Sequence, residues 1–281
     1  MKNALTVDVE DWYQTEDLRF EKKTWSSFED RVDYSTRLLL DIFAESGLKA
    51  TFFVLGLVAA AHPDLVRDIV KQGHELADHS YNHEMVTKQG KEEFREDIIR
   101  SKRTLEDISG VGINTFRAPS WSINGKNLWA LEVLEEEGYK YDCSLQPFKT
   151  PLSGMSGIPV VPFHPIVNGR ELKLVELPSS VVEIGKARVP FAGGLYSRFL
   201  FYYLIKKAYK NVNKSRSVVA YFHPWEQDGG QPKVKVTPLI KFTHYYNIEN
   251  NIDKIKKIIT DFDFAPVREI LIGVDYPVVS I

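Results

Sequence analysis

The chain has 281 residues, with 43% hydrophobic and 26% charged residues and a formal net charge of -2. This length suits one large α/β domain or two small ones. The near-neutral charge gives no long-range field that would attract nucleic acid or an anionic membrane, so we expect a small or neutral partner and no nucleic acid. One cysteine, Cys143, excludes an intramolecular disulfide framework.

The N-terminus runs directly from Met1 into an apolar strand pattern, without an apolar stretch long enough for a signal peptide or a membrane span. We therefore expect a cytoplasmic protein without membrane insertion. The sequence leaves the oligomeric state open.

Short apolar runs alternate with amphipathic segments along the first half of the chain. The predicted strands are 5–9, 50–55, 74–77 and 115–117, and the predicted helices are 34–44, 63–72, 92–108 and 124–137. Such alternation indicates an α/β fold with a parallel sheet and helices outside, either open or closed into a barrel.

The second half departs from this pattern. Residues 147–165 are rich in Pro, Gly and Ser, and they open a long loop-rich excursion over 147–194. Beyond 165 the pattern predicts strands at 174–177 and 218–222 and helices at 195–209 and 247–261. No linker separates these parts, so we predict a single domain over 1–281, with residues from about 226 to 281 as a C-terminal extension.

Two histidines four residues apart, His79 and His83, suggest a divalent-metal site. If this segment is helical, both rings project from one face and can hold the same ion. A carboxylate from the acidic strand end at residues 8–11 would complete a set of three ligands and leave positions open, as a catalytic site requires. The spacing alone is common by chance.

Ionisable residues follow five separate predicted strand ends, and in parallel α/β folds these ends carry the catalytic groups. They are Asp8, Glu10 and Asp11, then His79 and His83, then Arg117, then Asp142, and finally His223. Polar residues are ordinary in any one loop. Because five such strand ends lie on the same rim of the predicted sheet, we expect these residues to share one site.

Five short segments also occur in a familiar order. They are Thr6-Val7-Asp8, Ala50-Thr51-Phe52-Phe53-Val54, His79-Ser80-Tyr81-Asn82-His83, Phe116-Arg117-Ala118-Pro119 and Tyr221-Phe222-His223. These segments resemble the successive motifs of the polysaccharide deacetylases, the NodB-homology or carbohydrate esterase family 4 enzymes, over roughly residues 4–225. The tail, with Gly193-Gly194-Leu195-Tyr196 and His244-Tyr245-Tyr246, resembles the C-terminal extension of a branch found with bacterial exopolysaccharide biosynthesis.

The resemblance implies a distorted (β/α)7 barrel and a hydrolase that removes N-acetyl groups from hexosamines of a polysaccharide or its precursor. The implied cofactor is a divalent metal, most often zinc, with cobalt or nickel as alternatives. It would be held by His79, His83 and one carboxylate. Asp8 matches the general base, Arg117 the arginine that pairs with it, and His223 the general acid.

Two positions depart from the family pattern. Val9 stands where the family usually has a second aspartate, and strand alternation places Glu10 on the same side as Asp8, so Glu10 is the expected third ligand. Asp11 is the alternative if the strand ends or bulges after Val9. The motif that tunes the catalytic histidine is also reduced, and Asp142 either holds His223 in its tautomer or has a plain loop role.

Four further residues beside the motifs are candidates for contact with a sugar ring: Trp12, Pro119, Trp121 and Trp225. Core packing is the alternative role for each tryptophan. Glu226, close to His223, is interpreted as a solvated loop carboxylate.

Two rival functions on the same fold remain at this stage. One is a metal-independent cyclic amide or imide hydrolase, a type of relative that usually lacks the two-histidine pair. The other is a catalytically inactive glycan-binding protein, for which the altered first motif is the only support.

Overall fold

The computed structural model of the protein describes residues 1–150 and 153–281. Its centre is a curled sheet of parallel strands, and two smaller sheets, of two and three strands, come from the second half of the described chain. The strands are β1 (Asn3–Val9), β2 (Thr51–Val54), β3 (Glu75–Asp78), β4 (Thr115–Phe116), β5 (Tyr141–Asp142), β6 (His164–Val167), β7 (Arg170–Glu171), β8 (Val175–Glu176), β9 (Val181–Ile184), β10 (Ala187–Pro190), β11 (Val219–Phe222), β12 (Phe264–Ala265) and β13 (Val278–Ser280).

Helices pack outside this sheet. They are α1 (Val32–Glu45), α2 (Gly56–Ala61), α3 (Pro63–Lys71), α4 (Lys91–Ser109), α5 (Trp129–Glu136), α6 (Gly194–Phe199), α7 (Tyr202–Val212), α8 (Pro238–Tyr245), α9 (Asn251–Asp261) and α10 (Val267–Leu271). Within the described part of the chain, no helix is both long and apolar enough to cross a membrane.

The central sheet has the strand order β11-β1-β2-β3-β4-β5-β8, and every neighbouring pair in it is parallel. The short strand β12 adds to the beginning of β1. All seven residues of β1 are buried, as expected for a parallel strand covered on both faces. Because β8, β11 and β12 follow residue 147, the late part of the chain is built into the same sheet as the early part.

The predicted helix over 195–209 is in fact two helices, α6 and α7. Leu200 and Phe201 are extended between them. The Lys254 ammonium donates hydrogen bonds to the carbonyl groups of Ser197, Arg198 and Leu200 at 3.0, 2.6 and 2.8 Å. These bonds satisfy carbonyls at the end of α6, so a contact from α9 replaces the helical hydrogen bonds.

The other predicted elements need smaller corrections. The helix predicted from residue 124 begins only at Trp129, because the Asn127 side chain binds the backbone of Asn124 and Ser122 in a preceding turn. The excursion over 147–194 contains β6 to β10, and its residues 151–152 lie outside the described part of the chain. Helices α2, α8 and α10 were not predicted.

Candidate active site

The carboxyl ends of the central strands meet around one cleft with a volume of about 260 Å³. Asp8 and Glu10 enter it from the end of β1, and His79 and His83 come from the loop after β3. His223, directly after β11, lines the same cleft. The structure therefore brings together side chains that the strand-end rule predicted to meet.

Glu10, His79 and His83 form a compact group whose candidate ligand atoms all lie within 4.8 Å of one another. The two histidines do not come from a helix. Residues 79–83 form a loop in which Ser80 and His83 have positive φ angles of 73° and 53°. The helical premise was wrong, and a tight turn gives the same result of two imidazoles facing one point.

Buried hydrogen bonds hold this loop in its strained shape. The Asp78 carboxyl accepts from the Ser80 amide at 2.8 Å and from the Ser101 hydroxyl at 2.6 Å. The Ser80 hydroxyl in turn accepts from the His83 amide at 3.2 Å. These contacts tie the loop to β3 and α4, so both histidines are set before any ligand binds.

The protonation states of His79 and Glu10 suit cation binding. His79 Nδ1 donates to the Arg117 carbonyl at 2.8 Å, which leaves Nε2 as the free nitrogen. Burial lowers the pKa of His79 to about 4, so its imidazole is neutral near pH 7. Burial alone would raise the pKa of Glu10, but His83, at 2.6 Å, and the other imidazoles lower it to about 2.

Asp11, the alternative third ligand, points elsewhere. Its Oδ2 accepts from the Arg31 and Val32 amides at 2.7 and 3.0 Å, and its Oδ1 accepts from the Trp12 amide at 2.7 Å. Asp11 therefore satisfies free amides at the start of α1, where a negative charge is favourable. The structure excludes Asp11 from the histidine group and places Glu10 there.

Asp8 and Arg117 form a buried ion pair beside the histidine group. Arg117 Nη1 donates to Asp8 Oδ1 at 2.5 Å and to the Thr6 hydroxyl at 3.0 Å. The guanidinium also lies over the Phe53 ring, 4.1 Å from its centroid. These contacts fix one oxygen of Asp8. The other, Oδ2, lies 3.8 Å from His223 Nε2.

His223 is held from behind by Glu226. His223 Nδ1 lies 3.0 Å from Glu226 Oε2, and Arg198 Nε donates to Glu226 Oε1 at 2.9 Å. Burial would lower the pKa of His223, but the charge and hydrogen bond of Glu226, with Glu10 and Asp8, raise it to about 9. His223 therefore carries a proton near pH 7, which a general acid requires.

The structure corrects the predicted role of Asp142. Its Oδ1 accepts from the Ser144 hydroxyl at 2.5 Å, and its carboxyl faces Glu176. The place beside His223 belongs to Glu226, which is fully buried and not the solvated carboxylate that the sequence suggested. The spacing of Glu226 could have revealed this contact. The backbone amide of the residue just before a helical turn commonly donates to an acid three residues later, and Glu226 follows His223 by three residues.

Two of the candidate tryptophans line the cleft. Trp225 stacks between the rings of His223 and His244, with centroid distances of 5.6 and 4.4 Å, and its Nε1 donates to Glu10 Oε1 at 3.2 Å. Trp121 lines the wall formed by residues 119–121. Imidazoles cover both faces of Trp225, so of these two only Trp121 remains a candidate for packing against a sugar ring.

The other two candidates do not face the cleft. Trp12 is buried against Phe20 and Phe28, and its Nε1 donates to the Glu29 carbonyl at 3.0 Å. Its role is core packing. Pro119 is buried at the start of the turn that carries Trp121, so it shapes the wall without lining it.

Comparison with known families divides the chain into two consecutive matches. Residues 19–141 match the polysaccharide deacetylase family, and residues 143–272 match a domain of unknown function, DUF3473. A peptidoglycan-N-acetylglucosamine deacetylase from Bacillus cereus is 33% identical over 108 residues, 38% of this chain and 39% of the relative. A chitooligosaccharide deacetylase from Sinorhizobium fredii is 36% identical over 97 residues, 34% of this chain and 42% of the relative.

The chain thus matches only about two fifths of the length of these curated relatives. A solved structure of a polysaccharide deacetylase homologue from Mycobacterium smegmatis superposes with a TM-score of 0.60 at 22% identity, over 95% of this chain and 87% of that one. This likeness extends across both matched segments. It confirms the predicted fold class, a distorted (β/α)7 barrel of the NodB-homology type.

The curled parallel sheet, with acids and histidines at its rim, is an α/β barrel of the NodB-homology type. Residues 19–141 match the polysaccharide deacetylase family, and the chain continues directly into the DUF3473 segment. The resemblance to the polysaccharide deacetylases that the motifs predicted is confirmed, and the DUF3473 match covers most of the predicted C-terminal extension.

Proposed function

We propose that the protein is a metal-dependent hydrolase that removes N-acetyl groups from an N-acetylhexosamine-containing polysaccharide or its precursor. The observation that carries this proposal is the meeting of Glu10, His79 and His83 with Asp8 and His223 in one cleft. The family match and the relatives named as hexosamine deacetylases support the substrate class. The partner is therefore a carbohydrate.

The histidine group fits a divalent cation. Two buried imidazoles and one ionised carboxylate converge, and the His79 tautomer leaves its Nε2 free of protein partners. An ion held there would polarise the acetyl carbonyl and acidify water. Zinc suits this ligand set best, and cobalt or nickel fit it too.

The remaining residues supply the proton transfers that hydrolysis of an amide needs. Asp8, fixed through Oδ1 by Arg117, offers Oδ2 to the cleft as the base that removes a proton from the attacking water. When the carbon–nitrogen bond breaks, the amine is a poor leaving group. His223 gives its Nε2 proton to that nitrogen, so amide and water become amine and acetate.

The finer substrate assignment is an exopolysaccharide or its precursor. The resemblance of the C-terminal segment to the branch found with exopolysaccharide biosynthesis supports it. A precursor would also suit the cytoplasmic location that we propose from the sequence.

Acetate release tests this function directly. The protein is stripped of metal, reloaded with zinc, cobalt or nickel, and offered N-acetylated oligosaccharides, peptidoglycan fragments and exopolysaccharide preparations. We expect release only from the reloaded protein and none from His79→Ala, which should lose metal and activity together. His62→Ala, which changes a histidine paired with Asp30 outside the cleft, is the matched control. Wild type that releases no acetate under any of these conditions would contradict the proposal.

The structure weakens the case for an inactive glycan-binding protein. Its only support was the missing second aspartate of the first motif, and Glu10 occupies the corresponding place beside the histidines. A cyclic imide hydrolase would turn over without added metal, so the same assay separates that alternative.

A further inference from the structure

Arg198, in α6 of the DUF3473 segment, is a buried cation whose donors are directed at a single region. Only 1% of its surface is exposed. Its Nε donates to Glu226 Oε1 at 2.9 Å. Its terminal nitrogens donate to the carbonyls of Thr243, His244 and Tyr246 at 2.8 to 2.9 Å. The guanidinium is thus locked against α8 and aimed at one carboxylate.

Glu226, held in place by Arg198, in turn fixes the position of His223. One of its oxygens accepts from Arg198, and the other contacts both the backbone amide of His223, at 3.2 Å, and the ring Nδ1, at 3.0 Å. The Glu226 carboxylate accepts from Nδ1–H and fixes the orientation of the ring, so the second proton of the charged imidazole is carried on Nε2. His223 Nε2 then lies 3.8 Å from both Asp8 Oδ2 and Glu10 Oε1.

We propose that Arg198 and Glu226 are the positioning pair of the general acid, and that the DUF3473 segment is therefore part of the active site. This inference rests on the proposed function. The match to the deacetylase family ends at residue 141, before His223, Glu226 and Arg198. The deacetylase segment supplies His79 and His83, strand β1 ahead of that segment carries Asp8 and leads into Glu10, and the DUF3473 segment supplies the acid together with its support.

A structural role accounts for the bonds from Arg198 to the backbone carbonyls, but it explains the pairing of Arg198 with Glu226 poorly. Desolvating two charges costs as much as their attraction returns, so buried ion pairs are weak stabilisers compared with apolar side chains of similar size. Here the carboxylate binds its cation through one oxygen and the imidazole of His223 through the other. Glu226 therefore places a carboxylate oxygen against His223, the group that protonates the leaving nitrogen.

The leaving group of the substrate distinguishes positioning of an acid from general damage. An amide nitrogen must be protonated as it departs, whereas the phenolate of an aryl acetate leaves without a proton. We expect Glu226→Gln to lower kcat for an N-acetylated oligosaccharide by about 10²-fold, within the range of general acid catalysis, with little change in KM. Hydrolysis of the aryl acetate should be nearly unchanged, as should both activities of the control Glu249→Gln, which alters an exposed acid of the same segment.

A test of the Arg198 guanidinium requires a variant that lacks this cation and still folds. Arg198→Met alone leaves a buried carboxylate without its cation and is expected to unfold part of the segment. The double variant Arg198→Met/Glu226→Gln buries no charge. It should keep the far-ultraviolet circular dichroism spectrum, the metal content and the aryl acetate activity of the wild type, and lose amide hydrolysis to the same extent as Glu226→Gln.

Equal losses on amide and ester, or full amide activity in Glu226→Gln, would overturn the inference while leaving the proposed function intact. Wild type that hydrolyses neither substrate would instead defeat the proposed function. Crystal structures then test the positioning itself, because Glu226→Ala should release the His223 ring from its wild-type orientation. A ring unmoved in Glu226→Ala overturns the pair's role whatever the activity.

Discussion

Two groups of buried carboxyl groups lie at the carboxyl ends of the central strands, and they differ in what they face. Asp8, Glu10 and Glu226 each contact an arginine or an imidazole around the cleft. Asp142 and Glu176 instead face each other, with a serine hydroxyl and the Leu145 amide as their other partners. Both groups are shielded from solvent, so burial does not separate them.

The partner decides whether a buried acid is charged. Burial pushes the pKa of Glu226 up, but Arg198 and His223 hold it below the ordinary value. For Asp142 burial raises the pKa, and for Glu176 burial and the neighbouring Asp142 raise it well above the ordinary value. The lowered pKa values of Glu10 and Glu226 favour their ionised forms. The raised pKa values of Asp142 and Glu176 favour a shared proton in a pair that serves the fold.

The sharpest test of this difference is the replacement of one acid from each group by its amide. Asp8→Asn removes the proposed base, and we expect kcat for N-deacetylation to fall by about 10²–10⁴-fold with metal content nearly unchanged. Asp142→Asn replaces an acid with a raised pKa and should keep most of the activity. Acetate release and elemental analysis of both variants provide the measurement.

Two outcomes would contradict the assignment. Full activity in Asp8→Asn would remove Asp8 as the base. Loss of activity in Asp142→Asn, with the fold retained, would return Asp142 to the role that the structure gives to Glu226.

The second comparison concerns the two neighbouring acids at the end of β1. Glu10→Gln should weaken zinc binding at least about tenfold, since it removes a charged ligand, as measured by competition with a chelator. Asp11→Ala should leave zinc affinity unchanged and lower the free energy of unfolding by about 1 kcal/mol through loss of a helix N-terminal contact. If instead Asp11→Ala lost zinc and Glu10→Gln kept it, the third ligand would be misassigned.

Much of this site follows from the sequence because it depends on short-range rules. Strand ends located Asp8, His79 and His223, and alternation along β1 favoured Glu10 over Asp11. These rules need only the local direction of the chain and the parallel order of the strands.

The rest of the site depends on contacts between distant segments. Arg198 reaches Glu226 across 28 residues of chain, through a helix whose break is set by Lys254. Whether Asp142 is charged likewise depends on Glu176, 34 residues later, which strand pairing brings beside it. No local pattern encodes such partners, so the sequence predicts that His223 lies in the cleft but does not predict Glu226 and Arg198 behind it.

The smallest effect that we predict is a pH dependence of the free energy of unfolding, which tests the Asp142–Glu176 pair. Asp142 Oδ2 and Glu176 Oε2 accept no hydrogen bond from other groups among the described residues, and one proton held between them satisfies both. Because the pKa of Glu176 is raised above 4.5 in the folded state, folding takes up a proton, and wild-type stability falls as pH rises above that value. Glu176→Gln lacks this dependence. Its free energy of unfolding relative to wild type should therefore increase with pH between 5 and 8, by at most about 1.4 kcal/mol per pH unit for one proton.

Urea denaturation at several pH values measures the difference, with the exposed Glu92→Gln as control. A difference that does not change with pH would mean that the pair is ionised in the folded protein, and the contrast between the two groups of acids would fail.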